Sequence, residues 1–185
     1  MPEATASRLE AAVRSEAGGV KLIPYLMAGY PDRARSAELG RRYAASGAAA
    51  IEIGIPFSDP LADGPTVQRA GQAALEGGMT VAGALTVAEL VAKEGVPVVL
   101  MTYVNPVFAY EPERFARHAA AAGVAGVIVP DLPAEEAAAA RTASCQPRSP
   151  PVMYGTSSLR PASRLARSSA SILPIVVAVT ARAAP

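Results

Sequence analysis

One rhythm limits what this chain can fold into. A short, almost uninterrupted apolar run is followed by a polar loop and then by a helix-like stretch, four times in succession. The apolar runs are Val20–Met27, Ala48–Gly54, Val96–Met101 and Val124–Val129. They do not alternate apolar with polar residues, as strands with one wet face do. Continuous runs of this kind suit strands buried on both faces, in a parallel sheet covered by helices. Helical material is expected at residues 3–17, 33–46, 66–76, 80–94 and 111–122, with another helix beginning at Ala134. Glycines at 18–19, 47, 77–78 and 123 end these segments, and Asp32 stands where an N-cap belongs. The order leaves two architectures, a doubly wound open sheet or a (β/α)8 barrel. No G-x-G-x-x-G opens any of the helices, which weighs against dinucleotide binding.

Polar residues gather just after the carboxyl ends of the runs, where either architecture builds its sites. The densest example is Ile51 to Pro65, which reads IEIGIPFSDPLADGP. Glu52 lies between Ile51 and Ile53, and Asp59 and Asp63 follow in a loop rich in proline and glycine. A carboxylate among isoleucines is costly unless it is paired or has chemical work to do. Two plainer roles compete at this point. Glu52 could be a structural carboxylate paired with an arginine, and Asp63 could cap the helix that begins near Pro65. Tyr103 and Asn105 follow the third run in the polar turn Thr102–Pro106.

The totals exclude several classes. At 185 residues the chain can bury the core of one domain, and its formal charge of +1 makes no case for nucleic acid. The C-terminal arginines are not interleaved with aromatics, which lowers that case further. Cys145 is the only cysteine, so no disulfide framework exists, no metal or redox site is supported, and a reducing cytoplasm is the simplest setting. No run approaches the roughly 18 apolar residues of a membrane span, and the first sixteen residues do not read as a signal peptide. His118 reads as a surface residue on a helix.

Charge is unevenly spread. All sixteen acids lie at or before Glu136, with eleven of the seventeen basic residues, a net of −5. Six arginines and no acid follow, a net of +6. Strands are expected at 150–154 and 172–179 and a helix at 160–169, which brings the count to about six βα units. The whole of 1–185 reads as a single partial domain, with 141–185 divergent and expected to be poorly ordered. The break in composition fits an altered reading frame.

The motifs together resemble one family. IEIGIPFSDPLADGP, with Pro24–Pro31 (PYLMAGYP), Met101–Val107 (MTYVNPV) and Gly126–Pro133 (GVIVPDLP), is similar to the tryptophan synthase alpha chain from about residue 8 to about residue 140. A weaker likeness returns at 151–180. The resemblance implies a (β/α)8 TIM barrel, incomplete here, with strands seven and eight missing and with them most of the glycine-rich turns that hold the substrate phosphate. It implies retro-aldol cleavage of indole-3-glycerol phosphate to indole and glyceraldehyde 3-phosphate, in tryptophan biosynthesis. Glu52 would be the catalytic acid and base, and Asp63 the carboxylate facing the indole N–H. Tyr25 and Tyr103 would line the indole pocket. Pro56, Asp59 and Asn105 would face a beta chain in an alpha2-beta2 assembly. No cofactor is expected in this chain, since pyridoxal phosphate belongs to the beta chain, and no metal, nucleic acid or membrane is expected. The alternative is an inactive, degenerate alpha chain that only docks a beta chain.

Overall fold

A computed structural model describes residues 8–13, 20–132 and 176–177. A helical segment α1 covers residues 8–13. Then come β1 (Tyr25–Met27), α2 (Arg33–Ala45), β2 (Ile51–Gly54), α3 (Pro65–Glu76), α4 (Val81–Ala92), β3 (Val98–Met101), α5 (Val104–Ala109), α6 (Pro112–Ala121), β4 (Val124–Ile128) and β5 (Val176–Val177).

The strands form one sheet in the order β1-β2-β3-β4-β5, and the first four are parallel neighbours. This order decides between the two architectures. A doubly wound sheet reverses direction partway, whereas this one advances a single strand at each step. Helices α2, α4 and α6 pack side by side in that same sequence against the strands. The result is a partial barrel wall with its helices outside.

Strand alternation separates two faces of the wall. Leu26, Ile53, Leu100 and Val127 lie in register and turn towards the helices. They pack with Val87, Ala88 and Val91 of α4 and with Phe115, Ala116 and Ala119 of α6, all buried. Burying each large aliphatic side chain contributes roughly 1.5–3 kcal/mol, so this row fixes the register. The opposite face carries the row Tyr25, Glu52, Val99 and Gly126. Beyond it, at the carboxyl ends, stand Met27, Gly54, Met101 and Ile128.

Local signals explain the helices. Asp32 caps α2, its carboxylate accepting the Arg35 N–H at 2.8 Å. Thr80 caps α4 by accepting the Gly83 N–H at 3.1 Å. The sequence expectations for α2, α3, α4 and α6 match within about two residues.

β2 begins at Ile51 rather than Ala48 and β3 at Val98 rather than Val96, and three further expectations change. β1 begins at Tyr25 rather than Val20, because Pro24 has no N–H to give a ladder and, among the described strands, β1 pairs only with β2. Leu22 and Pro24 still accept hydrogen bonds from Ala49 and Glu52 through their carbonyls. The turn expected at Thr102–Pro106 is instead the entrance to helix α5. Pro106 is tolerated because a first-turn residue needs no N–H partner within the helix. The segment 172–179 was expected as a sixth βα strand; its described part, Val176–Val177, lies antiparallel beside β4. Antiparallel pairing satisfies an open sheet edge without a crossover helix. The helix from Ala134, the strand at 150–154, the helix at 160–169 and Cys145 lie outside the described residues. No single helix among the described residues is long and apolar enough to cross a membrane.

Candidate active site

The ladder hydrogen bonds run on past the strand ends and hold the site loops level. Ala28 N–H donates to the Gly54 carbonyl, Ile55 N–H to Met101 at 2.8 Å, and Thr102 N–H to Ile128 at 3.0 Å. The loops after β2, β3 and β4 therefore leave the wall at the same rim.

Glu52 sits on the inner face of β2, half-buried, with Ile51 and Ile53 directed the other way into the core. Burial raises its carboxyl pKa, and the nearby Asp63 charge raises it further. Among the described residues no arginine or lysine pairs with it. The structural ion-pair reading therefore has no support there.

Asp63 is also half-buried and is not a cap. The N-cap of α3 is Gly64, and no side chain bonds to that helix start. Its carboxyl pKa is raised by burial, while a hydrogen bond from the Tyr103 hydroxyl acts in the opposite direction. The loop is anchored by other means. Gln68 Nε2 donates to the carbonyls of Asp63 at 2.9 Å and Pro60 at 3.3 Å.

The tyrosines frame the two acids. Tyr25 is the register neighbour of Glu52 on β1. Its hydroxyl pKa is raised far above the usual phenol range, first by burial and then by Asp63, Glu52 and Tyr103. Tyr103 is 2% exposed. Its hydroxyl accepts the Ala62 N–H at 3.0 Å, and its ring lies 5.4 Å from that of Phe57. Burial raises the Tyr103 pKa, the Ala62 hydrogen bond opposes this, and the charge of Asp63 adds to the rise.

Of the other expected residues, Asp59 and Asn105 are exposed, and Pro56, in the loop after β2, is buried. His118 is exposed, as expected, but its Nδ1 is 2.8 Å from the Tyr110 hydroxyl. Among the described residues no group of three or more His, Cys, Asp or Glu side chains is placed to hold a metal ion. Sequence reasoning missed Asp131. Its Oδ1 accepts the Val104 N–H at 2.9 Å, joining the loop after β4 to the start of α5. The Pro-Asp-Leu-Pro turn was visible, but nothing in the sequence indicated its partner.

The family profile of the tryptophan synthase alpha chain matches residues 11–149. The chain belongs to the tryptophan synthase alpha chain family. It is 53% identical over 122 residues to the tryptophan synthase alpha chain of Acidiphilium cryptum, covering 65% of this chain and 44% of that one. It is 53% identical over 123 residues to that of Chloroflexus aurantiacus, covering 65% and 46%. Among solved structures, tryptophan synthase from M. tuberculosis in its aminoacrylate-bound form superposes with a TM-score of 0.70 at 43% identity, covering 74% of this chain and 57% of that chain. The alpha subunit from Legionella pneumophila gives 0.66 at 36% identity, covering 76% and 53%. The chain thus spans about half the length of the alpha chains it matches. The matched part includes the barrel wall and both site carboxylates.

Proposed function

We propose that this chain carries the reacting half of a carbon–carbon lyase site that cleaves indole-3-glycerol phosphate to indole and glyceraldehyde 3-phosphate. One observation carries the reading. Two half-buried carboxylates from neighbouring parts of one rim, Glu52 and Asp63, lie near enough for the Asp63 charge to raise the Glu52 pKa, and among the described residues neither is spent on an ion pair or a helix cap.

The reaction breaks the bond between the indole ring carbon and the glycerol chain. The ring carbon gains a proton, the adjacent glycerol hydroxyl loses one, and the hydroxyl carbon becomes an aldehyde. A carboxyl whose pKa is raised by burial keeps its proton to a higher pH than usual and can give it to the ring, and its carboxylate can then take one from the hydroxyl. Glu52 has that environment. Protonating the ring places positive charge on the indole nitrogen. An ionised Asp63 facing that N–H stabilises the charge as it develops, and the Tyr103 hydroxyl favours its ionised form. Tyr25, part-exposed on the inner face, supplies a flat wall for the ring, while the buried Tyr103 serves through its hydroxyl on the Ala62 N–H and Asp63.

The same reading supplies a partner. Asp59 and Asn105 are exposed near the rim, as are Leu61 at 87% and Phe108 at 63%. Exposed large apolar side chains beside an active face suit a protein interface. A pyridoxal-phosphate-dependent beta chain in an alpha2-beta2 assembly would cover them, within the cytoplasm. This surface also supports the second reading, a chain that docks the beta chain without turnover.

The test is indole formation from indole-3-glycerol phosphate by the purified chain, with and without beta chain. Indole above the uncatalysed rate supports the lyase. Co-purification with the beta chain but no indole leaves the docking reading in its place.

A further inference from the structure

Two loops converge on the turn at Tyr103 and Val104, and each is held by a specific contact. The loop after β2 is tied by the Ala62 N–H on the Tyr103 hydroxyl, 3.0 Å. The Phe57 ring from the same loop lies against the Tyr103 ring at 5.4 Å. The loop after β4 is tied one residue further along, by the Val104 N–H on Asp131 Oδ1 at 2.9 Å. Val104 opens α5, and Tyr103 is its N-cap residue with extended backbone, φ −90° and ψ 163°. Val104 is the first residue of α5, so its N–H has no partner within the helix, and Asp131 accepts it.

We propose that Asp131 is a positioning residue for the site: by holding the Val104 N–H it fixes the turn into α5, and so keeps the Tyr103 hydroxyl on the loop that carries Ala62 and Asp63. Asp131 itself is exposed and makes no described contact with Glu52 or Asp63. Its hold on the Tyr103 position passes through the backbone between Val104 and Tyr103, and its charge also acts directly on the Tyr103 hydroxyl, raising its pKa. Tyr103 is fully packed, so a shift in that backbone cannot be absorbed by ring rotation into open space. A displaced hydroxyl would release the Ala62 N–H and withdraw a donor from Asp63.

The inference rests on the lyase reading only for its functional consequence; the structural link can be tested without it. The chain contains no tryptophan, so the fluorescence of added indole reports its own binding against a background free of protein indole. Wild type, Asp131→Ala, Asp131→Asn, Tyr103→Phe and Asp131→Ala/Tyr103→Phe would be compared by indole titration and by amide exchange at Ala62 and Val104. Asp131→Ala is expected to weaken indole binding by about tenfold, the size of one lost hydrogen bond. Both the Ala62 and the Val104 amides should exchange faster in that variant. Asp131→Asn keeps an acceptor oxygen and should restore binding to within about twofold and both amides to wild-type protection. The double variant should lose little beyond Tyr103→Phe alone, since both changes break one chain of contacts.

The proposal is overturned if Asp131→Ala exposes Val104 while Ala62 remains protected, if Asn fails to restore both amides, or if the two substitutions act additively. If wild type binds no indole, the lyase reading fails, and the paired exchange at Ala62 and Val104 still decides whether Asp131 positions Tyr103.

Discussion

The Tyr25 hydroxyl lies over the α-carbon of Gly54, in the space that a β-carbon there would occupy. A β-carbon at Gly54 would come within 2.7 Å of the ring carbon bearing that hydroxyl, closer than side chains tolerate. Gly54 thus acts as the seat of Tyr25 on the inner wall beside Glu52. Gly54→Ala should push the ring off this seat. Overpacking a filled position typically costs 1–3 kcal/mol, so Tm should fall, and indole titration should show weakened binding. An unchanged Tm with unchanged indole affinity would mean that the ring has another place to go.

Gly40 plays the corresponding part on the outer face. A β-carbon there would collide with a Val91 methyl of α4 and approach Leu26 Cδ2 to 3.3 Å. Helices α2 and α4 pack at this point. Gly40→Ala should destabilise the fold by about 1–3 kcal/mol despite the better helix propensity of alanine. Urea unfolding would measure this, and indole binding should be spared, since Gly40 lies on the helix side of the wall.

The raised carboxyl pKa of Glu52 has a consequence for stability. In the folded chain Glu52 keeps its proton at pH values where the unfolded chain has lost it. Across that window the native state binds more protons, so this group makes stability fall as pH rises, from about pH 4 up through the folded pKa. Below the window its penalty disappears. Glu52→Gln, which cannot ionise, should therefore raise Tm slightly at neutral pH and lose that advantage in acid. Thermal melts of the two proteins at pH 4 and pH 7.5 would check the sign.

Tyr103→Phe removes the partner of the Ala62 N–H and the hydrogen bond that favours ionised Asp63. With that donor gone, the Asp63 pKa should rise further. The pH profile of indole binding should then move upwards, because a higher pH is needed to ionise the residue. Affinity at neutral pH should drop by about threefold to thirtyfold, in line with a charge-assisted hydrogen bond among partly exposed groups. A titration curve that does not move would separate Tyr103 from the charge state of Asp63.

Much of this architecture was legible in the sequence because its signals are local. Apolar runs announced the strands, Asp32 and Thr80 announced helix starts, and Glu52 stood out as an acid among isoleucines. The choice of barrel over doubly wound sheet was not local. It depends on strand order, which follows from packing between α2, α4 and α6 and was indicated only by the family resemblance. Helix α5 was missed because its start is stabilised by Asp131, twenty-seven residues away. The role of Asp63 was ambiguous for a similar reason. An Asp-Gly-Pro turn suits a helix cap, and only the observed N-cap of α3 at Gly64 takes that role away from Asp63.

The most direct test of the proposed site is the rate of indole release from indole-3-glycerol phosphate by wild type and Glu52→Gln, with substrate affinity measured alongside. The account predicts a fall in kcat of about 10²–10⁴, the usual contribution of a general acid–base group, with KM changed little. Turnover by Glu52→Gln within a few-fold of wild type would contradict it.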